Sequence, residues 1–276
     1  MTQERSTERS AVDKTQNGPV TTVSLANDLT RLGIQPGMVL LVHSSLSSLG
    51  WVCGGPVAVI LALEEVLGPE GTLIMPTHST GLTDPDEWAN PPVPHEWRET
   101  IRETMPAYDP DMTPTREMGA IPECFRKQPG VKRSNHPHVS FAAWGQHTNT
   151  IVDGHGLAFG LGEQSPLAHI YDLNGWILLL GVGHNNNTSL HLAEYRAAFE
   201  SKRIVKNHGP VMQNGQRSWA AFYDVDVNSE DFYRIGANFT ADTGLVQQGQ
   251  VGNTTASLMP QCAIVDYAVQ WLEEHR

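Results

Sequence analysis

A chain of 276 residues with 39% apolar and 17% charged side chains is long enough to bury one large core and has the composition of a globular domain. No apolar run approaches the roughly 20 residues that a membrane-spanning helix needs, which argues against a membrane protein. Lys plus Arg is 18 against 30 Asp plus Glu, a formal charge of −12, which disfavours nucleic acid as a partner and suits a cationic one.

Residues 1–20, MTQERSTERSAVDKTQNGPV, are polar and lack the apolar stretch of a signal peptide, so a disordered tail, a cytoplasmic address and a single domain over 21–276 are expected. TVSLANDLTRLGIQPG then places Leu25, Leu29 and Leu32 at helical spacing and stops at Gly33 and Pro36. MVLLVHSS predicts a buried strand running into His43, Ser44 and Ser45. GGPVAVILALEEVLGPEG predicts a helix and TLIMPT a second buried strand, the alternation of an α/β protein. Residues 78–118 are rich in proline and acid, with helical signal only at 96–104; a loop this long in a compact domain is usually functional or mobile. GAIPECFRKQPG predicts a short helix, VKRSNHPHVSFAAWG a loop entering a strand, and WILLLGVG the strongest strand signal in the chain. RSWAAFYDVDV carries further strand signals, and QCAIVDYAVQWLEEH predicts a last helix with Ile264, Ala268 and Trp271 on one side. No internal repeat or linker divides the chain.

Cys53, Cys124 and Cys262 are odd in number, far apart and in no CxxC pair, which suggests neither a disulfide framework nor a thiolate zinc site. GVGHNNNTSLHLAEYRAAF, residues 181–199, leaves a buried strand and enters a helix, the position at which open α/β sheets hold ligands. Its Gly181-Val182-Gly183 opening is an incomplete dinucleotide fingerprint because Asn186 stands at the third glycine. The chain has no GxSxG elbow and no GxxxxGK[ST] loop. Asn187 or Thr188 can cap the helix, and His191 then shares a face with Glu194 and Tyr195 at i+3 and i+4. A lone helical histidine is more often structural than catalytic, and HLAE lacks the second Glu-x-x-His of a carboxylate-bridged metal site.

Elsewhere, KRSNHPH offers Arg133 and Ser134 for gripping a phosphate, while His136 and His138 make a weak metal site with no carboxylate near in sequence. YDVDV places Asp224 and Asp226 on one side of an extended segment by period-two geometry, costly unless a cation or histidine is shared.

Taken together, LLVHSSLSSLG, LGPEGTLIMPT, VKRSNHPHVSFAAWG, SPLAHIYDLNGWILLLGVG and, most specifically, NTSLHLAE resemble the aminoglycoside 3-N-acetyltransferase family over most of residues 22–275. The resemblance implies that family's own α/β antibiotic N-acetyltransferase fold, a central mixed sheet flanked by helices and distinct from the GNAT fold. It implies acetyl transfer from acetyl-CoA, as cosubstrate and without a metal, to the 3-amino group of the 2-deoxystreptamine ring, an antibiotic-resistance activity. By the same resemblance His191 is the general base, and Asp224, with Asp226 close by, orients it. His43, Ser44, Ser45, Arg133, Ser134, His136 and Thr188 face CoA, and Asp84 meets a drug ammonium. Glu194, Asp226 and the acidic loop 82–111 have the sign to hold a polycation, with Gln164 on the substrate side. Asn185 and Gln164 depart from some members, which bears on drug choice. A homodimer is compatible with the resemblance.

The residues fit a direct transfer in which histidine, with an ordinary pKa of about 6.5, takes the amine proton. Amides or hydroxyls at Asn187, Thr188 and Ser189 would stabilise the charge on the thioester carbonyl. Acetylation of another amine, such as a biosynthetic precursor, and non-catalytic binding of CoA or a polyamine stay open from sequence alone.

Overall fold

The computed structural model describes residues 9–13, 15 and 18–276. Its strands are β1 (Val39–Ser44), β2 (Thr72–Pro76), β3 (Lys132–Arg133), β4 (Phe141–Gly145), β5 (Trp176–Leu180), β6 (Ile204–Gln213), β7 (Gln216–Val225), β8 (Gln247–Val251) and β9 (Thr254–Pro260). β1, β2 and β5 read as unbroken apolar runs because both of their faces are covered. β1 pairs in parallel with β2 and with β5, in register Leu40 to Leu73 and Leu41 to Ile177. Antiparallel neighbours extend this centre into a seven-stranded mixed sheet, ordered β3-β4-β2-β1-β5-β9-β8, while β6 and β7 form a separate hairpin.

Two-residue periodicity divides each central strand between two cores. Leu40, Val42, Leu73, Met75, Leu178 and Leu180 face α1 (Thr22–Leu32) and α2 (Gly55–Leu67). Their alternates Val39, Leu41, Ile74, Ile177 and Leu179 pack in the opposite core. After the short helices α3 (Arg98–Thr104), α4 (Ala120–Phe125) and α5 (Thr148–Val152), that second core is built from α6 (Pro166–Asp172), α7 (Ser189–Arg196), α8 (Phe232–Thr243) and α9 (Gln261–His275). α1 starts at a capping box in which Thr21 and Ser24 exchange side-chain bonds with each other's amides, and it ends at left-handed Gly33. None of the described helices is long and apolar enough to cross a membrane.

The mixed sheet with flanking helices is the architecture expected, and the long segment 78–118 is irregular apart from α3 and short 3₁₀ turns. Of the tail expected to be disordered, residues 1–8, 14, 16 and 17 lie outside the described residues. Among the others, 9–13 are helical, Thr15 Oγ1 accepts a bond from the Trp51 amide, and buried Val20 bridges Val52. β6, β8, β9, α6 and α8 carry no clear signal in the sequence. β8 is the largely polar run Gln247–Val251, held by its pairing with β9 and by the packing of α1 across it, and β6 contains Gly209 and Pro210.

Gly145, which ends β4, has φ +105°, and a Cβ there would stand 2.1 Å from the Gly71 carbonyl oxygen. Gly145→Ala should therefore cost about 2 kcal/mol or more, from combined backbone strain and overlap, read as a lower urea midpoint at unchanged slope.

Candidate active site

Because β1, β2 and β5 are parallel, their carboxyl ends open on the same edge of the sheet, where open α/β sheets hold ligands. His43 and Ser44 close β1, Thr77 and His78 follow β2, and Gly181 leaves β5 in a left-handed turn at φ +71°. A side chain at Gly181 would collide with Ser48 at 2.7 Å, so glycine lets the chain pass the β1 loop. His43 lies two residues beyond Leu41 on β1, and the His78 ring packs 5.3 Å from that of Phe141 in the same core, which puts both on the α7 side of the sheet.

α7 carries His191. Its amino end is shaped by the asparagine run: the Asn187 amide donates to the His184 carbonyl at 2.8 Å and Asn187 Oδ1 accepts from the Ser189 amide at 3.2 Å. Ser189 Oγ is bonded to Gln261 Nε2 at 3.0 Å. Asn187 and Ser189 thus build the turn, whereas Thr188 reaches a small inner cavity of about 70 Å³ that it shares with His43 and Ser44. A larger cleft of about 670 Å³ adjoins it. Ser44, Val182 and Asn186 line both, and Ser45, Trp51 and the Gly55 end of α2 line the cleft alone.

His191 Nδ1 lies 2.5 Å from Glu194 Oε2, and its ring packs 4.8 Å from that of Phe232. A carboxylate accepts only, so this contact assigns the proton to Nδ1 and leaves Nε2 with a free lone pair. Glu194 is fully buried; its other oxygen accepts from the Asn228 amide at 2.9 Å and from Arg276 Nη1 at 2.5 Å. The residue expected to orient the histidine was Asp224 or Asp226, and the geometry corrects this. Asp224 accepts from the Tyr195 hydroxyl, the Val225 amide and the Gly160 amide, and burial pushes its carboxyl upward. β7 ends at Val225, so the alternation that put Asp226 beside Asp224 stops there. Asp226 is exposed and its amide donates to the Arg203 carbonyl.

The RSNHP segment is turned inward. Arg133 donates to Thr77 Oγ1 at 3.1 Å, Ser140 Oγ at 3.0 Å, the Thr77 carbonyl at 2.5 Å and the Thr113 carbonyl at 2.5 Å. Its guanidinium pins the long loop to the end of β2 and is not presented to a phosphate, a second correction. Ser134 Oγ accepts from the Phe141 amide and meets His155 Nδ1 at 2.8 Å; His136 Nδ1 accepts from the amides of His138 and Val139. Asp84 is likewise paired, taking Arg102 Nε at 3.0 Å and Nη2 at 2.6 Å. Burial raises the Asp84 carboxyl, but the bonds from Arg102 and the Asp86 amide outweigh this and hold it low. Gln164 is exposed. The structure thus brings together His43, Ser44, Thr188, His191 and Glu194, and adds His78, Asn228, Phe232 and Arg276, which no local motif marked. Among the described residues no group of three or more His, Cys, Asp or Glu is arranged to hold a metal ion.

An imidazole with a buried carboxylate behind it, close to His43 of the inner cavity at the strand ends, is an arrangement suited to group transfer. Comparison makes the class specific: the family described as aminoglycoside 3-N-acetyltransferase matches residues 41–273. The SPbeta prophage-derived aminoglycoside N(3')-acetyltransferase-like protein YokD of Bacillus subtilis (strain 168) is 48% identical over 254 residues, 92% of each chain. Its crystal structure superposes with a TM-score of 0.94 at 46% identity, covering 97% of this chain and 98% of that one. Aminoglycoside N(3)-acetyltransferase VII of Streptomyces paromomycinus is 35% identical, covering 96% and 95% of the two chains. AAC-IIIb in binary complex with CoASH matches with a TM-score of 0.83 at 32% identity, covering 93% and 97%. The chain belongs to the aminoglycoside 3-N-acetyltransferase family.

Burial, with His191 nearby, pushes His43 down to about 3, and burial also takes His78 to about 3 and His138 and His155 to about 4. Below pH 6.5 the unfolded chain therefore binds protons that the folded one refuses. The contribution of these histidines is complete above about pH 6.5 and is lost as pH falls toward 4. Urea midpoints should decline between pH 7 and pH 5; a flat profile would contradict the neutral assignment.

Proposed function

We propose that this enzyme acetylates the 3-amino group of 2-deoxystreptamine aminoglycosides by direct transfer from acetyl-CoA, with His191 as general base. The observation that carries the reading is the His191 to Glu194 contact of 2.5 Å, with His191 close to His43 of the inner cavity at the strand ends. An alkylammonium is not nucleophilic, so the substrate reacts as the free amine, its first proton given up to solvent, and the nitrogen must shed a second proton as it attacks. His191 Nε2 takes it while Glu194 holds the tautomer and stabilises the imidazolium. The new C–N bond forms as the thioester C–S bond breaks, and the departing thiolate recovers its proton from the imidazolium. Acetyl-CoA supplies an activated acyl group. Ser44, Ser45 and the amino end of α2 at Gly55 suit the cleft to hold it, and Thr188 is placed to meet a developing oxyanion in the inner cavity. None of the three cysteines lines that cavity, which favours direct transfer over an acyl-enzyme.

The polycationic substrate matches the net charge of −12 and the acids of the 82–111 segment. With Asp84 and Asp86 both paired to Arg102, the carboxylates left for a drug ammonium on that side are others of the loop, Glu87 among them.

His191→Ala should retain acetyl-CoA binding and lose turnover by roughly a hundredfold or more. Glu194→Gln, which removes the charge but keeps the shape, should lower kcat about 10- to 1000-fold with a smaller effect on KM. Thiol release measured against a panel of aminoglycosides and simple amines checks both the reaction and its substrate. Turnover confined to other amines would replace the substrate, and near-normal turnover by His191→Ala would end the general-base assignment.

A further inference from the structure

Behind Glu194 stands a cation that the mechanism above leaves without a role. Arg276 donates Nη1 to Glu194 Oε1 at 2.5 Å, Nε to Asp231 Oδ2 at 2.8 Å, and Nη2 to Asp231 Oδ1 and to the Asn228 carbonyl, each at 2.5 Å. Its side chain is 12% exposed, and the guanidinium lies 5.6 Å from the Phe199 ring. The Asn228 amide donates to the same Glu194 oxygen. One guanidinium therefore ties the end of α9 to α7 and to the turn that starts α8. The residue after Asp231 is Phe232, whose ring is packed on His191. Both the polar and the apolar contact of the imidazole thus lead back to Arg276. A lysine ammonium, a point donor without a planar fork, could not span Glu194, Asp231 and a carbonyl together.

We propose that Arg276 is a positioning residue for acetyl transfer, fixing Glu194 against His191 and setting the charge against which His191 takes up its proton. The inference rests on the general-base reading. Two cations face Glu194: Arg276, which it bonds directly, and Lys202, whose ammonium is held on the Tyr195 and Ala197 carbonyls and acts on Glu194 through space, while Asp231 adds a second carboxylate beside Arg276. From other elements His191 faces His43 of β1 and His78 beyond β2, both neutral through burial, and Asp224 of β7. Arg276→Met leaves all three and Lys202 in place while removing the positive charge bonded to Glu194, which favours imidazolium. Asp231→Asn does the reverse, because Arg276 then balances Glu194 alone.

The test is the pH profile of kcat/KM for thiol release from acetyl-CoA with an aminoglycoside that wild type accepts. Arg276→Met should move the acid limb to higher pH by about one unit, with part of the lost activity regained above it. Asp231→Asn should move the limb to lower pH, and Arg276→Lys should return it toward wild type with a reduced plateau. If the variants lower only the plateau or the melting temperature and leave the limb in place, Arg276 is structural and the proposal fails. Should Arg276→Met not fold, the Asp231→Asn and Arg276→Lys profiles decide on the same criterion. His191→Ala run beside them separates the two readings. An active His191→Ala removes the general base itself, whereas an inactive one with unmoved limbs in the other variants removes only the role of Arg276.

Discussion

Glu194 is an ionisable side chain with no exposure to solvent, and a buried carboxylate costs several kcal/mol unless its oxygens are matched by donors and a countercharge. Much of the architecture around the site answers that requirement. One oxygen is given to His191, the other to an amide and an arginine, and these partners come from α7, the turn before α8 and the end of α9. The three elements cannot drift apart without leaving the charge uncompensated. The same packing fixes the imidazole in angle as well as in tautomer, because Phe232 follows directly from the turn that supplies Asn228 and Asp231.

The sheet contributes a second constraint. Parallel pairing of β1 with β2 and β5 brings three carboxyl ends to one edge, and the covered faces bury the side chains just inside it. Histidines placed there are driven neutral by burial, as His43 and His78 are. They add polar groups near His191 without adding competing charge. Arg133, which from its loop looked available to an anion, instead meets the carbonyl and hydroxyl acceptors that the irregular 110–113 segment and the end of β2 leave open. A long loop without regular hydrogen bonding needs such a clamp, and the clamp uses the donors a phosphate would have needed.

Legibility in the sequence followed the range of the interactions. The apolar runs of β1, β2 and β5 and the faces of α1 and α9 were readable because burial writes a period into neighbouring residues. The spacing from His191 to Glu194 was visible too, since i+3 residues on a helix meet regardless of tertiary context. β8 was invisible, being largely polar and ordered by long-range contacts with β9 and α1, and Gly209 and Pro210 concealed β6. Asp224 was assigned to His191 by resemblance, yet Tyr195 reaches that carboxylate from the same helix, a competition between two side chains that no periodicity reports.

By itself, then, the sequence determined the α/β class, the family resemblance, the helix that carries His191 and the acid beside it, because each depends on local spacing or on ordered motifs. The tertiary structure alone decided which carboxylate meets the His191 imidazole, that Arg133 and Asp84 are already paired, and that Arg276 stands behind Glu194 from 82 positions away. Those outcomes depend on which donors and acceptors reach one another after the chain has closed, and charge compensation in a buried site is settled only there.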